Sequence, residues 1–437
     1  MIDFLSIMEA IQRNPLYLVG LVFFAWYPIY SSALWVFTSI VFFARHERRA
    51  AALGHKITKA KPLPTESGAE PDEFTPRVTV LMSAYNEAEH IERTIKGCLD
   101  IDYPDYEIVI VNDGSKDDTL KKIKPHADAG RVRLINKPVN EGKAMALNDA
   151  IPLTNGEVIL IIDADAVPDR NILRAIVPHF RASRVGAVTG NPRVKNRRSL
   201  LSKLQAIEFA SIVSLQRRGA RVWGKMLTMS GVVGAFHRHA LYDAELFSPQ
   251  MATEDIDLTW KLQLKHYDIR YEPRAIVWMR VPVSVRGLWR QRTRWARGLA
   301  QVLRRHGREA FKWHSRRLWP VLIESLLSIV WAYCFVIFTA LWAVSYAVGY
   351  PPIGASPIPN YWGMLIGTMC LFQLLVGVLL DRLYDRRLPW YYVVAVVYPI
   401  IYWMLMAVVT FFSTPGGLMR SAKGAAPVRW KPVRETG

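Results

Sequence analysis

Residues 16–44 run without one charged side chain and stop at Arg45-His46-Glu47-Arg48-Arg49. A helix needs ~20 apolar residues to cross the hydrocarbon core, so this run is long enough to span with tilt. It is too long for the core of a signal peptide, and no clear cleavage site follows it. Pro28 predicts a bend. The basic flank, continued by Lys56, Lys59 and Lys61, marks a cytoplasmic end. Three more apolar runs follow near the other end of the chain, at 321–348, 361–380 and 391–412, with Glu324 expected at an interface. Whatever lies between must therefore fold as a domain beside a bilayer, on its cytoplasmic side.

The flanks leave one conflict open. The uncharged Gly/Pro-rich link 349–360 fits the outside, and the link 381–389, with Arg382, Arg386 and Arg387, fits the inside. Four spans would then put the tail outside, yet Arg420, Lys423, Arg429, Lys431 and Arg434 argue for inside. Either one run is re-entrant or the first 15 residues form another embedded element. Trp313, Trp319, Tyr361, Trp362, Trp390 and Tyr391 stand at the ends of the runs, as interfacial anchors do.

The expected organisation is a membrane segment at 1–50 (span 16–44), a linker at 51–75 and a soluble domain at 76–283. Amphipathic interface helices at 284–320, membrane helices at 321–412 and a basic tail at 413–437 complete it. Composition agrees with a mixed chain: 51% hydrophobic yet 21% charged, with a net charge of +19. Much of the basic excess sits beside the apolar runs, which favours anionic lipid over nucleic acid as its partner. Cys98, Cys334 and Cys370 are too scattered for a disulfide framework or a metal site, and read as buried or lipid-facing thiols.

Between the runs, strand-like and helix-like patterns alternate. Strands are expected at 77–83, 107–111, 132–135 and 158–162, and helices at 88–99, 115–123, 143–150 and 171–180. This order argues for a parallel sheet covered by helices, with ligands bound beyond the carboxyl ends of the strands. Polar groups collect at those ends: Ala84-Tyr85-Asn86-Glu87 after the first strand, Asn112-Asp113-Gly114-Ser115 after the second, and Asp163-Ala164-Asp165 after 158–162.

Asp-Gly after a strand is often only a turn, and alone Asp113 reads so. Asp163 ends an apolar run, where a carboxylate costs free energy unless compensated. A divalent cation bridging Asp165 and a diphosphate is a simple compensation, and Mg²⁺ or Mn²⁺ suits such oxygens. Lys143, after Asn140-Glu141-Gly142, opens a helix; it reads equally as a phosphate or carbonyl ligand and as a solvated lysine after a capping turn. Thr253-Glu254-Asp255 precedes an amphipathic stretch, so Thr253 and Glu254 are expected as capping residues. Asp255 can also face a pocket and accept a proton. Most arginines around Gln291-Arg292-Thr293-Arg294-Trp295 fit an amphipathic helix on a membrane surface. Arg294 can bind a diphosphate with paired hydrogen bonds, and Trp295 offers a flat face for a sugar ring.

In this order the motifs resemble those of the processive membrane glycosyltransferases of family 2, which include cellulose, chitin and hyaluronan synthases. The carrying stretches are 253–264, 271–275, 287–292 and 230–236. Within the family they lie nearest the branch that links N-acetylglucosamine through β-1,6 bonds into an exopolysaccharide. The resemblance implies an α/β fold with a mixed sheet: a cytoplasmic, GT-A-type nucleotide-sugar-binding domain inserted between N- and C-terminal transmembrane helices of a bacterial inner-membrane protein. It implies a UDP site from Ala84, Glu87, Asp113 and Lys143, with Asp163 on the nucleotide-sugar, Asp165 on Mg²⁺ or Mn²⁺, and Asp255 as general base beside Glu254. Gln291, Arg294 and Trp295 would border the diphosphate and the acceptor. The implied partners are UDP-N-acetylglucosamine, the growing polysaccharide, the lipid bilayer and a small membrane subunit through which cyclic di-GMP acts. Competing readings are another polymer of the same family, a transferase to a lipid carrier, and a membrane scaffold or exporter without catalysis. A relative of the last kind would have replaced Asp163, Asp165 or Asp255.

Overall fold

Eight strands form one sheet in a computed structural model that describes residues 4–48, 74–349, 361–419 and 428. The strands are β1 (Val78–Ala84), β2 (Tyr106–Asp113), β3 (Arg133–Lys137), β4 (Val158–Ile162), β5 (Val167–Pro168), β6 (Val185–Val194), β7 (Val233–His237) and β8 (Asp268–Met279). Their order is β3-β2-β1-β4-β7-β6-β8-β5. Side chains alternate between two apolar layers: Val78, Val80, Met82 and Ala84 enter one, and Leu81 enters the other. A sheet buried on both faces needs near-continuous apolar strands, and Val-Ile-Leu-Ile-Ile of β4 is buried throughout.

The sheet is not wholly parallel as the alternation predicts. β1 to β4 are parallel, but β7 runs antiparallel between β4 and β6, and β5 antiparallel to β8. Apolar pattern specifies a strand and not its direction. The reversal has a consequence for the site: β7 starts where β4 ends. Ile162 pairs with Val233, and the Asp163 amide donates to the Val232 carbonyl at 3.3 Å. The loop Ser230–Val232 thus reaches the same sheet edge as Ala84, Asp113 and Asp163.

The helix expected at 115–123 begins later, at Thr119, and runs to Asp128. Residues 115–118 are instead stitched to the loop after β1. Asn86 N donates to Ser115 Oγ (3.0 Å), Lys116 N to Asn86 Oδ1 (2.7 Å), and Ala88 N to Asp117 Oδ2 (3.2 Å).

Among the described residues three helices are long and apolar enough to cross a membrane: Pro15–Glu47, Trp313–Ala347 and Gly363–Asp381. The run 391–412 is not a fourth. It breaks into a 3₁₀ segment (Leu388–Val397), a π turn (Tyr398–Tyr402) and a helix (Trp403–Met419). Pro389 and Pro399 remove amide donors that a continuous helix needs. The first residues form a separate helix, Phe4–Arg13, and Asn14 caps the next, accepting from Leu16 N at 2.9 Å. Glu324, expected at an interface, accepts from Tyr27 Oη (3.1 Å) and Trp35 Nε1 (3.3 Å), both on the first apolar helix. The helix Trp403–Met419 takes in the start of the expected tail. Most of the linker 51–75, the link 350–360 and the rest of the tail apart from Val428 lie outside the described residues.

A buried ionic cluster joins these helices to the sheet domain. Arg218 pairs with Glu47, at the end of the first apolar helix (2.7 Å), and with Asp381, at the end of the third (2.7 Å). Arg193 of β6 holds the other oxygen of Asp381 at 2.7 Å, and Tyr384 Oη donates to Glu47 at 2.7 Å. Two guanidinium groups face two carboxylates, so the cluster is neutral in sum.

Candidate active site

A cleft of about 280 Å³ opens along the sheet edge where β1, β2 and β4 end and β7 begins. Glu87, Asp113, Lys143, Asp163, Asp165, Glu254, Asp255, Gln291, Arg294 and Trp295 all line it. Ala84 does not: it is fully buried in the apolar layer, and its neighbour Tyr85 is on the wall instead.

Lys143 is the hub of the polar groups. It is the first residue of the helix Lys143–Ala150, entered through Gly142 at φ +96°. That loop is fixed by Asp113, whose two oxygens accept from Glu141 N (3.1 Å) and Gly142 N (2.9 Å). Lys143 Nζ then reaches Asp163 Oδ1 (2.5 Å), the Gly231 carbonyl (2.9 Å) and Glu254 Oε1 (3.6 Å). Burial alone would ease proton loss from this ammonium, but Asp163, Glu254 and Asp255 more than reverse that and keep it charged. The solvated lysine that its sequence allowed is therefore not what forms.

Two carboxyls carry raised proton affinity. Asp165 is pushed up to about 7, by burial first and by the charge of Asp163 second. Asp255 is pushed up to about 6, by burial and then by Glu254, with Lys143 and Arg294 pulling the other way. A base whose proton affinity lies close to neutrality is suited to proton transfer near pH 7. Asp165 is a half-buried carboxyl beside a second one, a pair that a divalent cation offsets. Among the described residues no cluster of three or more His, Cys, Asp or Glu could close around a metal. Mg²⁺ commonly takes one or two carboxylates and completes its shell with phosphate and water, so Asp165 with Asp163 nearby fits such an open site.

The residues around Asp255 are locked to the helix Val285–Phe311, which carries Gln291, Arg294 and Trp295. Ala252 N donates to Gln301 Oε1 (3.0 Å), and His306 Nε2 contacts Asp257 Oδ1 at 2.8 Å. Arg305 lies 3.4 Å from the same Asp257 oxygen. Thr253 does not cap the helix Glu254–Leu264, as its position predicts. Its hydroxyl is buried without a hydrogen bond, and its side chain presses on Gly298 of the longer helix. Glu254 is no simple capping residue either, since it faces Lys143 across the cleft.

Trp295 is held from two sides. The Arg292 guanidinium lies 4.1 Å from its ring centroid, and Phe209 meets it edge-on at 6.4 Å and 81°. Arg292 is itself fixed by Glu208 Oε2 (2.6 Å) and Tyr402 Oη (3.0 Å). Tyr85 stood inside a quoted motif, but Phe209, Val213, Arg217 and Arg280 are among the wall residues that the sequence did not single out. They lie in segments whose spacing does not separate a cleft side chain from a surface one.

Residues 76–298 match the family described as glycosyltransferase like family 2. The chain is 33% identical over 415 residues to a poly-β-1,6-N-acetyl-D-glucosamine synthase of Staphylococcus epidermidis, covering 92% of this chain and 96% of that one. It is 32% identical over 408 residues to the synthase of the same name from Staphylococcus aureus strain COL, with the same coverage. Among solved structures, a mannosyltransferase from Pyrobaculum calidifontis in complex with GDP-Man and Mn²⁺ aligns with a TM-score of 0.57 at 24% identity. That alignment covers 87% of this chain and 99% of the other, and shows a shared GT-A-like fold.

Proposed function

The chain belongs to glycosyltransferase-like family 2, and from that premise we propose that it polymerises N-acetylglucosamine from UDP-N-acetylglucosamine into a β-1,6-linked exopolysaccharide. The observation that carries this reading is the single cleft in which Asp163, Asp165, Asp255, Lys143 and the Gln291–Trp295 segment meet.

In the proposed mechanism Asp255 takes the proton of the acceptor 6-hydroxyl. The acceptor oxygen forms its bond to C1 of the donor sugar as the bond from C1 to the UDP oxygen breaks on the opposite face. The bonding pair leaves with UDP, so an α-linked donor gives a β link. Arg294 donates to the departing diphosphate, where negative charge grows. Asp165, with Asp163 beside it, would hold Mg²⁺ or Mn²⁺ together with the diphosphate, and a bound ion supplies further positive charge there. Asp113 and Lys143 shape the nucleotide end, Glu87 and Glu254 border it, and Gln291 and Trp295 border the acceptor, which rests on the indole face.

The apolar helices belong to the same proposal as multi-pass spans of an inner membrane, with the sheet domain cytoplasmic and the polymer leaving between the spans. So do a small membrane subunit and control by cyclic di-GMP. The test is incubation of the protein in membranes with radiolabelled UDP-N-acetylglucosamine, followed by digestion of the product. Polymer cut by an enzyme specific for β-1,6 glucosamine links is expected. Polymer cut only by a β-1,4-specific enzyme, or no polymer with Mg²⁺ or Mn²⁺ supplied, overturns the reading.

A further inference from the structure

Arg217 and Arg218 are chain neighbours with opposite surroundings. Arg218 is saturated by Glu47, Asp381 and Ser214. Arg217 is only 5% exposed, yet among the described residues no carboxylate pairs with it. Its Nη1 donates to the Gly190 carbonyl at 3.1 Å, and its Nε is buried with no partner. Burial of this cation is costly, and its proton affinity falls to about 10 because Tyr271 and Asp255 offset the burial only in part. A guanidinium kept in this state, on the wall of a cleft, is a donor set without its acceptor.

Its place in the cleft says which ligand it faces. Phe209, Val213 and Arg217 are spaced by four along one continuous helical stretch and line the cleft together. The row begins at Phe209, which touches Trp295. The nucleotide end is built from other elements, by Asp113 of β2 and Lys143 of the helix Lys143–Ala150, and it already has Lys143 as a cation.

We propose that Arg217 binds the non-reducing end of the acceptor, donating hydrogen bonds to a hydroxyl or acetamide carbonyl oxygen of an uncharged N-acetylhexosamine. This rests on the proposed polymerase reading and adds a residue to its acceptor side. A guanidinium can only donate, so it takes oxygens that offer lone pairs. The attacking hydroxyl must give its proton to Asp255, so Arg217 holds a different oxygen of the same sugar and thereby orients the nucleophile.

The test uses the full chain purified in detergent, with UDP-N-acetylglucosamine as donor and a short β-1,6-linked N-acetylglucosamine oligosaccharide as acceptor. Arg217→Met keeps most of the stem and removes the donors. Sugar incorporation should fall about 10- to 100-fold while affinity for UDP changes by less than about twofold, the size expected for losing a charged hydrogen bond at the acceptor alone. The share of donor cleaved by water should rise, and Arg217→Lys should recover part of the incorporation. Unchanged incorporation overturns the proposal, as does a loss of UDP affinity in step with activity, which would assign Arg217 to the donor. If the Met variant does not fold, the Lys variant is read by the same comparison: incorporation reduced with UDP affinity kept supports the proposal, and any other result overturns it. A wild-type protein that incorporates no N-acetylglucosamine sinks the polymerase reading itself.

Discussion

Replacing Gly298 by Ala tests whether the lock between the two motif helices sets the geometry of Asp255. A Cβ at Gly298 would stand 2.5 Å from Thr253 Cγ2 and 2.8 Å from Thr253 Cβ. Carbon atoms pack best at about 3.5–4.0 Å, so the two segments must separate by roughly 1 Å. Thr253 has little freedom to yield. It is β-branched, and its neighbours are pinned by Gln301 on Ala252 and His306 on Asp257. The displacement then passes to Glu254 and Asp255. Overpacking of this kind costs about 1–3 kcal/mol of stability, and misplacing a reacting group by ~1 Å costs about 10²-fold in rate. Initial rates of sugar incorporation and thermal unfolding of the purified protein measure both. Gly307→Ala is the control on the same helix, because nothing lies within 4 Å of its added Cβ. It should keep the full rate and gain up to ~1 kcal/mol from helix propensity. Adding Thr253→Ala to the Gly298 variant removes Cγ2 and a hydroxyl that bonds to nothing, so part of the rate should return. A Gly298→Ala enzyme of normal rate, or one that Thr253→Ala does not relieve, refutes the reasoning.

Asp255 must be ionised to act as base, so the rate should be retained above about 6 and lost as pH falls through that value. Glu254→Gln removes a charge that raises its proton affinity, so the acid limb of the pH–rate profile should move to lower pH; a shift upward contradicts the assignment. Arg292→Met leaves Glu208 buried without its cation, with only the Tyr402 hydroxyl still donating to it, and should lower stability by about 3 kcal/mol in thermal or denaturant unfolding, while the double variant with Glu208→Met should recover part of it. Glu272 is held well below the usual carboxylate range: burial opposes this, but Arg274 and His179 outweigh burial. Its contribution to stability is therefore full above the unfolded value of about 4.3 and is lost as pH falls below it, so Glu272→Gln should flatten the acid side of the stability curve.

The residues that bring chemistry were legible where they ended apolar strands. Asp163 announces itself because a carboxylate closing a buried strand needs a reason, whereas Asp113 alone reads as a turn and joins the site because the parallel order of β1, β2 and β4 puts those ends on one edge. Lys143 was legible only as one of two equal readings, and Thr253 was not legible as a packing residue. Whether a lysine after Gly is solvated or buried against Asp163 depends on β7 entering antiparallel and bringing the Gly231 carbonyl, and strand direction leaves no mark in hydropathy. Thr253 carries the pattern of a helix cap, yet the helix Val285–Phe311 occupies the space beside it and turns it into a packing contact. The run 391–412 is apolar throughout, which hides its irregular backbone: Pro399 falls inside it where it divides into a 3₁₀ segment, a π turn and a helix, and Tyr402 turns to Arg292 and Glu208. Arg217 and Arg218 look identical in sequence; only the positions of Glu47 and Asp381, far away along the chain, distinguish them.

That difference also bears on how the cleft is built. One wall belongs to the sheet edge and the helix beside it, through Asp113, Asp163 and Lys143. The opposite wall belongs to the stretch Leu200–Trp223, one side of which turns Phe209, Val213 and Arg217 into the cleft. From the same stretch Arg218 grips the ends of two apolar helices through Glu47 and Asp381. A buried network of this kind adds little net stability, because desolvation consumes most of the attraction, but breaking it strands a charge. Sliding of this wall against those helices would break both contacts at once, so it is tied to the apolar part as well as to the sheet. On the proposed polymerase reading, a growing chain would then move past Trp295 along a wall that is held in place.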